Sequence, residues 1–153
     1  MQTQEFFNLL LEDIDEGWRV KEVKTDVKSK EVDIYLEYTF KKGESPDTGE
    51  DCPIYDHREN RRWRHLDTLK YRTFLNAKIP RIKDKDGKIK TIRTPWASSR
   101  ESFTYEFEKV VIDCLQATKN QTKTANLLKC SFHIVNSVLH RAAQEAWRED
   151  LRI

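Results

Sequence analysis

The chain has 153 residues, of which 37% are hydrophobic, 35% charged and 10% aromatic, and a formal net charge of +2. This is one ordinary domain or two small ones, too aromatic and too poor in Gly and Pro for a disordered chain, with a thin core expected. Cys52, Cys114 and Cys130 are odd in number without a C-x-x-C pair, and the N-terminus has neither a basic n-region nor an apolar run, which argues against a disulfide framework, a signal peptide and a membrane span and fits the cytoplasm.

Residues 3–15 read as a short helix, with Phe6, Leu9, Leu10 and Ile14 near helical spacing and Gly17 as its stop. Residues 18–25 alternate, with Trp18, Val20 and Val23 inward. Residues 31–40 give the clearest strand, Val32, Ile34, Leu36, Tyr38 and Phe40 sharing one face. The stretch KKGESPDTGEDCP reads as a loop. RRWRHLD leads as a strand into LKYRTFLNAKI, whose alternation puts Tyr71, Thr73, Leu75, Ala77 and Ile79 on one side. KDKDGK is a tight turn and IKTIRT its return strand, with Asp86-Gly87 as the hairpin dipeptide. PWASSRES reads as a corner.

From Phe103 the period becomes helical, with a stripe of Phe107, Val110, Val111, Cys114 and Leu115. A short helix over 121–128, a three-residue turn and a helix from Phe132 toward Trp147 complete the chain. The expected class is α+β: a helix in residues 1–16, a small antiparallel β-rich domain in 17–98, and a three-helix domain in 99–153.

The helical part carries the most mechanistic pattern. In QTKTANLLKCSFHIVNSVLH, Thr124, Ala125, Leu128, Cys130, Val135 and Val138 sit at the offsets a helix-turn-helix needs for two helices to cross closely. Ser131 is placed to cap the last helix, and Lys129 stands at the turn position often filled by Gly. A helical hairpin that only packs on the β half is the plainer alternative. The exposed face of the last helix would present His133, Asn136, Ser137 and His140 to base edges, with Lys123, Lys129, Ser131 and Arg141 suited to phosphates. No acidic residue occurs from Cys114 through Gln144.

Charge is segregated along the chain. Residues 1–56 carry a net −8, residues 57–100 a net +10, and the remainder balances. Arg61, Arg62, Arg64, Arg72, Arg81 and Lys83 are the candidate phosphate contacts of the basic block; a merely solvated face is the alternative. Within CPIYDHRENRRWRHLD, Cys52, His57 and His65 offer three zinc ligands but no fourth at a recognisable spacing. The histidines read instead as hydrogen-bonding residues, and Trp63 as core rather than a stacking platform.

The segments GWRVKEV, EVDIYLEY, CPIYDHRENRRWRHLD, YRTFLNAKIPRIK and TIRTPWA, followed by the helical pattern, resemble the N-terminal region of the ISL-three family of bacterial insertion-sequence transposases. The resemblance implies a small zinc ribbon and then a helix-turn-helix that together recognise the element's terminal repeats. It also places the ribbon's ligand pairs on Ser45 and Thr48 and on Asp84 and Gly87, so all four ligands are absent and no metal or other cofactor is expected. Family transposases continue into a longer catalytic domain with three acidic metal ligands, for which 153 residues leave no room.

The expected function is therefore non-catalytic binding of duplex DNA by a stand-alone or truncated transposase recognition region. The expected partners are double-stranded DNA and, with it, a second copy or a full-length transposase, with no membrane and no small-molecule substrate. The alternative is a transposase-derived protein-interaction module whose acidic first third binds a partner or covers the basic block.

Overall fold

The computed structural model describes residues 17–150 and, before them, residues 5, 7, 8, 11 and 14; the side chains of residues 147, 149 and 150 lie outside the described set. Of the expected N-terminal helix, Glu5, Phe7 and Asn8 are helical and the Leu11 N–H donates to Phe7 O at 3.0 Å. Phe6, Leu9 and Leu10 lie outside the described residues.

Eight strands form two four-stranded sheets. Trp18–Asp26 (β1), Glu31–Tyr38 (β2), Arg61–Thr68 (β5) and Tyr71–Ala77 (β6) make the first, in the order β1-β2-β6-β5. Lys42–Glu44 (β3), Asp51–His57 (β4), Pro80–Lys83 (β7) and Ile89–Thr91 (β8) make the second, in the order β3-β4-β7-β8. Three helices follow: Tyr105–Thr118 (α1), Gln121–Leu128 (α2) and Phe132–Asp150 (α3). The class is α+β, β-rich first and helical last.

The alternation in β2 does what the sequence suggests: Val32, Ile34 and Leu36 are buried. The strand ends at Tyr38, so Phe40, expected on the same face, is 51% exposed. In β1 a register shift between Val20 and Glu22 explains how Val20 and Val23 both turn inward despite their odd spacing. Two expectations are corrected. The supposed loop over 41–53 contains β3 and the start of β4, because Gly43 lets β3 lie against Ile92 and Ile82, where a Cβ would come within 2.8 and 3.0 Å. The first sheet is not purely antiparallel, since β2 and β6 pair in parallel. Alternation fixes which face a strand buries but not its neighbour, and the chain visits the second sheet between β2 and β5 before returning.

The β half packs around Trp63, which is 0% exposed, with Ile34, Leu75, Ile79, Ile82 and Trp96. Trp96 meets Trp63 and Trp18 edge to face, at centroid distances of 5.3 and 4.8 Å. A second core joins the helices through Phe103, Phe107, Val111, Ala125, Val135 and Val138.

The two halves are stitched by backbone. Arg64 N–H donates to Ser102 O at 2.8 Å, and Thr104 N–H donates to Arg64 O at 2.9 Å, so residues 102–104 extend the β5 edge of the sheet. Thr104 then caps α1, its Oγ1 accepting the Phe107 N–H at 3.1 Å. The same Oγ1 lies 2.8 Å from His65 Nδ1. Burial holds the His65 imidazole neutral, pulling its pKa from 6.5 to about 4, with Glu106 opposing and Arg64 adding to the shift.

That shift has a stability consequence. Unfolded His65 gains a proton below about pH 6.5 and the folded residue does not until about pH 4. Stability from this group is therefore intact above pH 6.5 and falls through the window down to pH 4, by up to about 3 kcal/mol. Urea unfolding at pH 7 and pH 4.5 is expected to show this loss. His65→Asn, which keeps an acceptor for the Thr104 hydroxyl, is expected to flatten that part of the pH dependence.

Candidate nucleic-acid interface

The eight-residue α2, a three-residue turn and the first turns of the 19-residue α3 present the candidate surface. Asn120 caps α2, accepting the Lys123 N–H at 2.9 Å. Thr124 and Ala125 are buried where α2 meets α1 and α3, and Val135 and Val138, both 0% exposed, come up from α3. Lys129 ends α2 in the left-handed region at φ 52°, ψ 47°, its N–H returning to Ala125 O. Ser131 caps α3, its Oγ accepting the Ile134 N–H at 3.2 Å.

Burial of Val135 and Val138 leaves the opposite face of α3 outward. His133 and His140 are exposed there, and Asn136 and Ser137 are half-buried beside them. Lys129 and Ser131 are exposed at the α2–α3 turn, and Lys123 is exposed in the first turn of α2. His133, Asn136, Ser137 and His140 thus share one face of α3, with Lys129 and Ser131 at its N-terminal end. Sequence reasoning missed Phe132, the first residue of α3, which is 52% exposed at the same corner. An exposed aromatic at a helix N-terminus breaks the amphipathic pattern, and that was its signal.

The basic block fares differently. Arg64 is 3% exposed and cannot reach a phosphate. Its Nη1 donates to His65 O at 2.8 Å and pairs with Asp67 at 2.6 Å, its Nη2 donates to Leu128 O at 3.0 Å, and the guanidinium lies 4.7 Å from the Phe107 ring centroid. Arg62 pairs with Asp33 and Glu31, both at 2.7 Å, and Arg72 with Glu31 at 2.7 Å. Arg81 pairs with Asp56, Nε donating to Oδ1 at 2.6 Å, and Arg141 with Glu108 at 2.6 Å. Arg61 donates to the carbonyls of Ser99 and Glu101 and lies over Trp63. Lys83 is exposed, with no ion pair recorded for it among the described residues. The expected phosphate contact at Arg64 is therefore corrected, because burial closes it off. Arg62, Arg72, Arg81 and Arg141 stay partly exposed while each pairs with a carboxylate of a neighbouring element.

The strongest of these networks centres on Asp33. Burial pushes its carboxyl upward, but hydrogen bonds from Arg62 and Asn76 outweigh that and hold it below the usual carboxylate range.

The ribbon geometry survives without its ligands. β4 pairs antiparallel with β7, Ile54 opposite Ile82 and His57 opposite Pro80, so the turn before β4 and the turn after β7 meet at one end. Those turns hold the four positions the resemblance assigned to ligands. Ser45 is buried, its N–H bonded to Glu50 O at 2.8 Å. Thr48 Oγ1 accepts the Glu50 N–H at 3.3 Å. Asp84 accepts the N–H groups of Asp86 and Lys88 at 3.0 and 2.8 Å, which with Lys90 holds its carboxyl low. Gly87 turns the chain at φ 79°.

Two hydroxyls, one occupied carboxylate and a glycine do not fit zinc, which takes thiolates and imidazoles. Among the described residues no group of three or more His, Cys, Asp or Glu side chains could hold a metal. Instead a cation of the chain lies between the turns: Lys90 pairs with Asp47 of the first and, at 3.5 Å, with Asp84 of the second. Lys85 to Glu50 and Arg93 Nη2 to Pro46 O, at 2.9 Å, add two further links.

Residues 48–83 match the family described as the zinc-finger of transposase IS204/IS1001/IS1096/IS1165. This part of the chain is an ISL-three transposase-related region. The match runs from the turn before β4 to the end of β7 and ties the protein to nucleic-acid-related function at a coarse level. No curated protein and no solved structure is significantly similar to the chain. No helix of the described residues is long and apolar enough to cross a membrane.

Two outcomes are expected from thermal unfolding. A chelator in excess is expected to leave the midpoint unchanged, whereas Lys90→Met, which keeps the stem but removes the charge between Asp47 and Asp84, is expected to lower it. Arg64→Ala is expected to cost roughly 2–3 kcal/mol, because a buried charged donor and its ring contacts are lost at once.

Proposed function

We propose that the protein is a non-catalytic DNA-binding module in which α2, the turn and α3 act as a helix-turn-helix, α3 entering the major groove of duplex DNA. The observation that carries this reading is the acid-free corner. Lys129, His133, Asn136, Ser137 and His140 lie along it and Lys123 on the first turn of α2, with no carboxylate in the sequence from Cys114 through Gln144. Asn136 offers bidentate bonding to an adenine edge, the histidines read guanine or phosphate, and the lysines meet phosphates. The relation of residues 48–83 to transposase zinc ribbons supports DNA, with insertion-sequence ends as the natural ligand class.

Lys129 ends α2 at φ 52°, as Lys119 ends α1 at φ 53°, so its exposed side chain stands at the turn that leads into α3.

One observation favours the interaction-module alternative. Glu31, Asp33, Asp47 and Asp56, all from the acidic first third, neutralise Arg62, Arg72, Lys90 and Arg81 of the basic block. These pairs reduce the free positive charge of the basic block, while Arg58, Lys78, Lys83, Lys88 and Arg100 stay exposed with no ion pair among the described residues.

Affinity for duplex DNA measured against salt separates the two. With about three phosphates engaged, log K is expected to fall with log salt at a slope of about −3. No binding at low salt would favour the protein-interaction reading. On a duplex selected from a random pool, Asn136→Ala is expected to cost about 1–3 kcal/mol and to relax one base position. Equal loss on selected and scrambled duplexes would mean that α3 does not read bases. Lys129→Gly is expected to raise the unfolding midpoint while weakening all duplexes alike.

A further inference from the structure

The corner beside the α2–α3 turn is not built by helices alone. Arg64 holds Asp67 Oδ1 at 2.6 Å through one nitrogen and Leu128 O at 3.0 Å through the other. One guanidinium therefore brings the end of β5 against the turn that launches α3. The β5–β6 connection springs from that junction.

This connection is fixed and oddly composed. A register shift between His65 and Thr68 lifts Leu66 and Asp67 out of the ladder. Thr68 is fastened to buried Thr73, its N–H donating to Thr73 Oγ1 at 3.0 Å and the two hydroxyls lying 2.7 Å apart. At the tip Leu69 is 92% exposed and sits at φ 56°, a conformation usually given to Gly or Asn. Lys70 beside it is exposed.

Nothing in the fold needs an apolar side chain there. Leu66, Leu127 and Phe132, at 36%, 65% and 52% exposed, belong to the same two segments that Arg64 joins. At the tip itself the exposed charge is Lys70: Asp67, the only acid in residues 61–83, is taken up by Arg64, and Glu106 of α1 lies farther back, beside Leu66. An exposed apolar tip next to an exposed lysine fits the sugar edge and phosphates of a nucleic-acid duplex.

We propose that the β5–β6 connection is a second duplex-DNA contact. Lys70 meets a phosphate flanking the groove that α3 enters, and Leu69 packs on the sugars at the edge of the adjacent minor groove. This rests on the reading of α3 as the groove-entering helix.

The test uses the full chain and the duplex selected from a random pool, read by affinity and by hydroxyl-radical protection of the sugars. The wild-type protein is expected to protect the sugars around the α3 site and a separate flanking patch. Leu69→Asn, which suits the left-handed tip, is expected to unfold at the wild-type midpoint or above it. It is expected to bind about tenfold more weakly, lose the flanking protection and keep its base preference. Lys70→Ala is expected to reduce the salt slope by about one. If both variants bind with the wild-type affinity, slope and footprint while Asn136→Ala loses base preference, the proposal for the connection falls and the reading of α3 stands. If the wild-type protein binds no duplex, both fall. Should Leu69→Asn fold poorly, the slope and footprint of Lys70→Ala decide.

Discussion

The placement of the helices depends on one buried cation. Arg64 reaches the carbonyls of His65 and Leu128, the carboxylate of Asp67 and the ring of Phe107, and so touches strand, helix and turn at once. A guanidinium at 3% exposure has lost its water, and only this set of acceptors makes its burial tolerable. Its Nε has no partner among the described residues, so the set is not generous. The acceptor it takes from α2 is the last helical carbonyl before Lys129, a group the helix itself leaves unbonded. The end of α2 and the desolvated arginine each satisfy what the other lacks. Moving either one strands a buried polar group, so the orientation of α3 against β5 is set by that pair together with the Ser102 and Thr104 backbone bonds.

The same economy governs the surface. The sequence segregates charge strongly, and the fold pairs acidic and basic blocks on the first sheet and at the ribbon turns. What remains unpaired among the described residues is scattered, at Arg58, Lys78, Lys83, Lys88 and Arg100 of the basic block and at Lys123 and Lys129 of the helical part. Long-range steering by the whole chain is weak, given a net charge of only +2.

Much of this was legible in the sequence. Alternation gave the buried faces of β2 and β6, because period two is a local property. The pattern over residues 121–140 placed Thr124, Ala125, Val135 and Val138 inside, because small and β-branched residues where helices cross are also local requirements. The fate of the arginines was not legible. Arg62 and Arg64 are two residues apart on one strand, yet one meets Asp33 and Glu31 near the surface and the other is buried under Phe107. Which partner faces a cation depends on strand order and on the docking of α1, neither of which composition records. The parallel β2–β6 pair was hidden for the same reason. The β3–β4 hairpin was missed because Gly, Pro and acids read as loop even where they form short edge strands.

The four positions that the resemblance assigned to zinc ligands hold residues that do not fit zinc, so the stability of β4 and β7 needs another account. The lysine between the turns occupies the right place, but surface ion pairs are individually weak beside a structural zinc, whose binding supplies most of the folding free energy in an isolated finger. The Lys90 pairs therefore add only modestly to the stability of the turns. Stability has another source in this chain. β4 and β7 are not an isolated ribbon: Ile82 and Cys52 are buried with Ile92 and Trp96, in the same core as Trp63 and the first sheet. The inner face of this strand pair is buried by that shared core. Ser45, Thr48, Asp84 and Gly87 stand in turns whose backbone groups are satisfied locally, which is a structural use for these residue types at those positions.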